Sequence, residues 1–170
     1  LNADNISHDS KKVIERSRNV ASGMSKGVNF LMKKNKIDIL KGFGKIKKNK
    51  VVSVDGTDYS AKHIIIATGA KSRVLPSIPQ DGKQVIGYRE AMTLEKQPKS
   101  ITIVGSGAIG IEFAYFYNSI GSDVTVIEYM PNIVPLEDVD VSKELEKSFK
   151  KKGIKIMTSS EVISVEKKKK

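Results

Sequence analysis

The chain has 170 residues, 39% hydrophobic and 29% charged, which allows one domain or two small ones of ordinary globular composition. It has no cysteine and only two histidines, His8 and His63, which excludes disulfides and thiolate ligands and argues against a metal site or catalytic triad. The net charge of +11 suggests the hypothesis of nucleic-acid binding. The lysines are scattered, however, and few aromatic residues lie among them, so a solvated basic surface is the better interpretation.

The first half of the chain predicts one helix followed by short strands. Apolar residues at helical spacing predict an amphipathic helix from about Asp9 to Met32, capped by Asp9 or Ser7. Short strands are predicted at residues 37–40, 45–47, 50–54 and 57–59. Asp55-Gly56 is a hairpin signal between the last two of these. His63 to Ala67 reads as a continuous apolar strand of the type buried on both faces of a parallel sheet.

The second half predicts alternating strands and helices. A proline-containing crossover, with a short helix predicted at 89–95, leads into it and places a domain boundary near residue 88. Strands are predicted at 101–104, 124–127, 154–157 and 162–165. A helix follows the first of these strands, and a second helix is predicted from about Val141 to Lys152, with Gly153 at its C-terminal end. This order predicts an α/β fold with a parallel sheet.

The glycine-rich turn after the strand at 101–104 is the most informative feature. Gly105-Ser106-Gly107-Ala108-Ile109-Gly110 is a GxGxxG fingerprint that opens a helix and is followed, at the end of the next strand, by Glu128. The first glycine permits a tight turn, the second leaves room for a pyrophosphate, and the third lets helix and strand pack closely. Glu128 can accept hydrogen bonds from an adenosine ribose, and its charge repels a 2′-phosphate, which favours NAD over NADP. The alternative is a glycine-rich turn in some other βαβ unit.

Three segments, in this order, carry a family resemblance: IIIATGA at 64–70, PKSITIVGSGAIGIEFA at 98–114 and VIEYMPNIVPLEDVDVSKEL at 126–145. The arrangement resembles the flavin-dependent pyridine nucleotide–disulfide oxidoreductases, most closely those that oxidise dihydrolipoamide. The resemblance implies that residues 1–88 are part of an FAD-binding domain with a small antiparallel β meander. It implies that residues 89–170 are most of a Rossmann-like NAD-binding domain.

The resemblance also implies cofactor contacts residue by residue. The FAD contacts that it implies are Gly44, Thr68, Gly69 and Ala70. The NAD contacts that it implies are the turn from Gly105 to Gly110, then Ile111, Glu112, Glu128 and Val162. By spacing alone, Glu112 is a first-turn acid that suits the helix dipole, and the segment at 67–70 is any strand-to-loop turn. Tyr129 and Met130 stand where NADP-linked relatives carry basic residues, which again favours NAD.

In the enzymes that the chain resembles, dihydrolipoamide on a lipoyl-bearing protein reduces a cysteine pair, and electrons pass through FAD to NAD. The resemblance implies a homodimeric parent that belongs to a 2-oxo-acid dehydrogenase complex. The family's FAD fingerprint, CxxxxC motif and C-terminal domain with its catalytic His and Glu are not in these residues. We therefore expect no catalytic residue and no turnover in this segment itself.

Three alternatives stay open: a relative that reduces another disulfide or a metal ion, an NAD(H)-binding module without catalysis, and a basic nucleic-acid binder. The last is the least favoured, and we expect no nucleic-acid partner. No apolar stretch approaches the roughly 20 residues of a membrane span, and the start lacks the pattern of a signal peptide. We expect no membrane partner and a cytoplasmic protein.

Overall fold

The computed structural model describes residues 7–166, and these form four α-helices and six β-strands in two three-stranded sheets. Residues 16–71 make one compact unit, and the remaining described residues make another. One sheet is antiparallel and the other parallel, which confirms the predicted α/β class with its small meander. No helix within residues 7–166 is long and apolar enough to cross a membrane.

The first helix, α1, runs from Ser10 to Lys34 and confirms the predicted amphipathic helix. Asp9 caps it, because its carboxylate accepts a hydrogen bond from the N–H of Lys12 at 3.1 Å. The predicted apolar face is present, but Val20, Met24 and Val28 are each more than half exposed. Within the described residues, therefore, packing does not bury this part of the helix.

The meander consists of β1 (Gly44–Lys47), β2 (Val51–Val54) and β3 (Thr57–Ser60), paired in chain order. The turn between β2 and β3 is the predicted Asp55-Gly56, with φ of 48° and 86°. Positive φ at both central residues is the type I′ geometry whose twist matches that of the flanking strands. The local sequence signal is sufficient here because the turn residues themselves set the conformation.

Two predicted strands in this part of the chain are wrong. Residues 37–40 and the apolar run from His63 to Ala67 have no strand conformation. Ile65 is 90% exposed and Ile66 69% exposed. A strand exists only through its ladder hydrogen bonds, and no strand of the described chain lies beside this run to supply them. The apolar sequence of this run therefore favours a strand, but the described residues supply no partner strand with which it could pair.

The second unit begins with the short helix α2 (Tyr88–Ala91), a shorter version of the helix predicted at 89–95. The elements that follow it are β4 (Ser100–Val104), α3 (Ala108–Ser119), β5 (Asp123–Ile127), α4 (Val139–Lys151) and β6 (Lys155–Met157). The strands pair in parallel in the order β4-β5-β6, which confirms three of the four predicted strands. The fourth, at 162–165, is wrong, since no described strand pairs with it.

The core of this unit lies between α3, α4 and the parallel sheet. Three aromatic side chains of α3 contribute to it: Tyr117 is buried, and Phe113 and Phe116 pack against the buried cluster. The Tyr117 hydroxyl donates a hydrogen bond of 2.6 Å to the carbonyl of Ala91, which ties α3 to α2. The register pairs Val104 with Ile127, so β4 and β5 end at the same edge of the sheet.

Candidate functional site

The loops that follow β4 and β5 begin side by side at the carboxyl edge of the parallel sheet. The N–H of Gly105 donates to the carbonyl of Ile127 at 2.8 Å, which extends the ladder one residue beyond the strand. The chain then turns at Gly105, whose φ of +100° is a backbone conformation that residues with a side chain rarely adopt. In open α/β sheets, ligands bind at this edge.

The third glycine of the fingerprint is required by the fold. A Cβ on Gly110 would overlap the carbonyl oxygen of Gly105 and lie 3.4 Å from a methyl group of Ile103. Helix α3 can therefore approach β4 this closely only because residue 110 has no side chain. The role predicted for this glycine from the sequence matches the geometry.

The second glycine is not required by the fold. A Cβ on Gly107 would meet no atom within 4 Å, and its φ of −63° is open to any residue. The protein itself thus gives no steric reason for glycine at this position. Open space in front of this backbone is what a closely approaching ligand needs.

Gly107 is also the N-cap of α3. Glycine has no side chain that could cap the helix. The first hydrogen bond of the helix is the one from the N–H of Ile111 to the Gly107 carbonyl, at 3.1 Å. The N–H groups of residues 108–110 precede that bond and point out of the helix end. They and the positive end of the helix dipole make this terminus suited to an anion such as a phosphate.

Glu128, just after β5, turns its carboxylate back onto the glycine loop. The residue is only 7% exposed. One carboxylate oxygen, Oε2, accepts hydrogen bonds from the N–H of Ser106 at 2.7 Å and from the Ser106 hydroxyl at 2.6 Å. The other, Oε1, accepts one from the N–H of Met130 at 2.8 Å. Glu128 and the glycine loop, which the sequence predicts to bind the same dinucleotide, are therefore in direct contact with each other.

The environment of Glu128 keeps its carboxylate ionised. Burial raises its pKa, but hydrogen bonds from the Met130 N–H, the Ser106 hydroxyl and the Ser106 N–H lower it, with a smaller share from the Tyr129 N–H. The net effect is a pKa below the ordinary value of 4.5. The hydrogen bonds win because each donor is aimed at the charged form.

Ser106 connects this site to the loop between β5 and α4. Its side chain is fully buried, and both its hydroxyl and its carbonyl accept from the N–H of Val134, at 3.2 and 3.1 Å. Val134 has a φ of +41°, a strained value for a β-branched residue, and the neighbouring Ile133 is fully buried. The loop between β5 and α4 is thus held by two contacts, one from Met130 to the Glu128 carboxylate and one from Val134 to Ser106.

The other residues predicted on the NAD side have varied surroundings. Ala108, Ile109 and Glu112 are exposed on α3, whereas Ile111 is buried in the core. Glu112 is the fifth residue of α3 and lies beyond its first turn, which corrects the position expected from spacing alone. Val162 is half-buried and follows Ser160, whose N–H donates to the Glu128 carbonyl at 2.9 Å. Tyr129, next to Glu128, is 70% exposed.

The residues predicted on the FAD side belong to the unit of residues 16–71. Gly44 lies in β1 opposite Val54, and a Cβ there would make only an ordinary contact of 3.6 Å with Val52. Thr68, Gly69 and Ala70 lie in an exposed irregular segment, with Gly69 at a φ of +73°. Their predicted role in binding FAD stays a prediction.

The sequence did not reveal the contact between the Ser106 side chain and Glu128, nor the part played by Val134. The sequence pattern identifies Ser106 only as a member of the glycine loop. The available signal was a hydroxyl residue between two glycines, at a place where the loop turns back toward the next strand. That signal names no partner, because the acid lies 22 positions along the chain from Ser106.

Comparison with known proteins gives one family. The sequence matches the pyridine nucleotide-disulphide oxidoreductase family over residues 2–170. It is 47% identical to the dihydrolipoyl dehydrogenase of Rhizobium etli, over 95% of this chain and 38% of that protein. The chain thus spans less than two fifths of the length of this curated relative.

The fold is also similar to that of solved structures. The chain is similar to the crystal structure of LpdA from Mycobacterium tuberculosis, with a TM-score of 0.82 and 25% identity over 94% of this chain and 37% of that one. It is also similar to the HOCl-induced flavoprotein disulfide reductase RclA from Escherichia coli, with a TM-score of 0.73 and 28% identity over 92% of this chain and 37% of that one.

Proposed function

This chain belongs to the pyridine nucleotide-disulphide oxidoreductase family, and we propose that its residues 105–128 bind the adenosine diphosphate part of NAD. The observation that carries the proposal is the open space at Gly107. Gly105 and Gly110 are explained by the turn and by helix packing, whereas no steric contact of the described residues requires glycine at 107, and a ligand lying against the backbone would require it.

The residues present fit that ligand. The N–H groups of residues 108–110 would hold the pyrophosphate at the N-terminus of α3. The Glu128 carboxylate, which its donors keep ionised, would accept a hydrogen bond from the adenosine ribose and repel the 2′-phosphate of NADP. Val162 would line the adenine end, and Ile111 and Glu112 belong to the same helix as the phosphate site.

For the protein as a whole, we propose the activity of the relatives named dihydrolipoyl dehydrogenase. The substrate would be the dihydrolipoamide of a lipoyl-bearing protein, and NAD, when bound, supplies the acceptor for the hydride that leaves the flavin. Gly44 and residues 68–70 would contact FAD from an FAD-binding portion at 1–88, with the NAD domain at 89–170. Identity of 47% to such a relative supports this assignment. A homodimeric, cytoplasmic parent within a 2-oxo-acid dehydrogenase complex is part of the same proposal.

A second candidate keeps the fold and the coenzymes but changes the substrate. The similarity to RclA, which is named a flavoprotein disulfide reductase, supports a relative that acts on another disulfide. The residues of the present site would have the same roles in both cases, since they concern only the coenzymes.

The proposal is tested by titrating the protein with NAD in a calorimeter, together with the variants Gly107→Ala and Gly107→Val. We expect saturable binding to the unsubstituted protein, weaker binding to the alanine variant and none to the valine variant, because each added carbon enters the space of the pyrophosphate. Circular dichroism checks that the fold is kept, as the absence of neighbours at Gly107 predicts. Equal affinity for all three proteins would contradict the proposal.

A further inference from the structure

The hydroxyl of Ser106 has no freedom to serve a ligand directly. It carries one proton, and the contact of 2.6 Å with Glu128 Oε2 uses that proton. Its oxygen accepts from the Val134 N–H at 3.2 Å, and the side chain is fully buried. Whatever this hydroxyl contributes to coenzyme binding must therefore act through the carboxylate that it holds.

The hold on the carboxylate is nearly complete. An ionised carboxylate offers about four acceptor positions, and Ser106 and Met130 fill three of them with donors on both oxygens. Two of the three come from Ser106, and both go to Oε2. Glu128 thus has little acceptor capacity left for a ligand.

A carboxylate held in this way cannot turn aside. A free glutamate has rotamers through which it can move away from an incoming anion, at a modest cost in free energy. For Glu128, such a movement breaks hydrogen bonds to a charged group, which are among the stronger ones in proteins. Repulsion of a 2′-phosphate then stays at full strength, and exclusion of the wrong ligand is a large part of selectivity.

We propose that Ser106 is a positioning residue whose hydroxyl fixes the Glu128 carboxylate and thereby sets the preference of this site for NAD over NADP. The inference rests on the proposed NAD site and deepens it. It assigns the selectivity to the pair of a serine and an acid rather than to the acid alone. It also changes the role of the Ser106 side chain from a coenzyme contact to a support for one.

The test compares Ser106→Ala with Ser142→Ala. Ser142 is also buried, and its hydroxyl donates to the Val134 carbonyl at 3.5 Å, so it touches the same loop without touching Glu128. Affinities for NAD and NADP are measured by calorimetry for the two variants and the unsubstituted protein. We expect Ser106→Ala to lower the ratio of NAD affinity to NADP affinity about five- to tenfold, and Ser142→Ala to leave it unchanged.

The ratio is the decisive quantity because a loss of folded protein lowers both affinities equally. A second arm adds Ser106→Ala to Glu128→Gln, and no further change in the ratio is expected if the serine acts through the charged carboxylate. An unchanged ratio in Ser106→Ala, or a full additional loss in the double variant, would overturn the positioning role. Absence of NAD binding to the unsubstituted protein would instead contradict the proposed function itself.

Discussion

The backbone of Gly110 lies against the carbonyl oxygen of Gly105, so close that a Cβ on residue 110 would overlap that oxygen. Because the obstacle is backbone, it cannot move aside as a side chain would. We predict that Gly110→Ala destabilises the fold by about 1–3 kcal/mol, the usual range for an overfilled site. Urea unfolding followed by circular dichroism measures this free energy.

Gly107→Ala is the matched control, since a Cβ there meets nothing within 4 Å. Its expected cost is below about 1 kcal/mol, because alanine is a poorer N-cap than glycine. Equal destabilisation by the two substitutions would mean that the close approach of α3 to β4 is not what residue 110 provides.

The charge of Glu128 is predicted to decide between the two coenzymes. Glu128→Gln keeps the size of the side chain but removes the charge that repels a 2′-phosphate. The ratio of NAD affinity to NADP affinity should fall about tenfold, which corresponds to roughly 1.4 kcal/mol. Calorimetric titration with both coenzymes measures it. Glu137→Gln, an exposed acid in the following loop, serves as the control and should leave the ratio as it is.

The same carboxylate should make the stability of the fold depend on pH. The pKa of Glu128 is lowered in the folded state, so its ionised form stabilises the fold above the unfolded-state pKa. This contribution is lost as the pH falls through the folded-state pKa. The free energy of unfolding should therefore decrease more steeply in the unsubstituted protein than in Glu128→Gln as the pH falls below 4.5, the ordinary pKa of this group. Parallel curves from denaturant unfolding would show that the donors around Glu128 do not favour its charge.

The buried hydroxyl of Tyr117 should be worth more than an exposed one. Tyr117→Phe removes the donor of 2.6 Å to the Ala91 carbonyl and leaves that buried acceptor without its partner. The expected loss is about 1–3 kcal/mol. Tyr115→Phe, on the exposed side of α3, should change stability by less than about 0.5 kcal/mol. Thermal unfolding of the two variants checks the difference.

The sequence was informative wherever a conformation is decided locally. Asp55-Gly56 forms the predicted turn because both residues tolerate a positive φ. The order of strands and helices around Gly105 was readable for a similar reason, because the apolar periods and the glycines belong to adjacent segments. The strands predicted at 63–67 and 162–165 failed because a strand needs a neighbour that its own residues cannot specify.

The candidate site shows the same limit. The fingerprint and Glu128 were found as parts of a pattern, and the packing role of Gly110 followed from that pattern. The hydrogen bonds from Ser106 to Glu128 could not be found in this way. They depend on the register of β4 against β5, which brings residue 106 close to residue 128. They also depend on the burial of the Ser106 hydroxyl, which leaves Glu128 as the acceptor for its proton.

The strand order β4-β5-β6 has a topological consequence. Among the described strands, β4 pairs only with β5, so its other edge is open. A strand that followed β6 in the chain and joined this edge would reverse the direction in which the sheet grows along the chain. Such a reversal is the switch point of a doubly wound sheet, where the loops on either side diverge and leave a crevice. The turn at Gly105, at the carboxyl end of β4, would form one wall of that crevice, and the loop after the added strand would form the other.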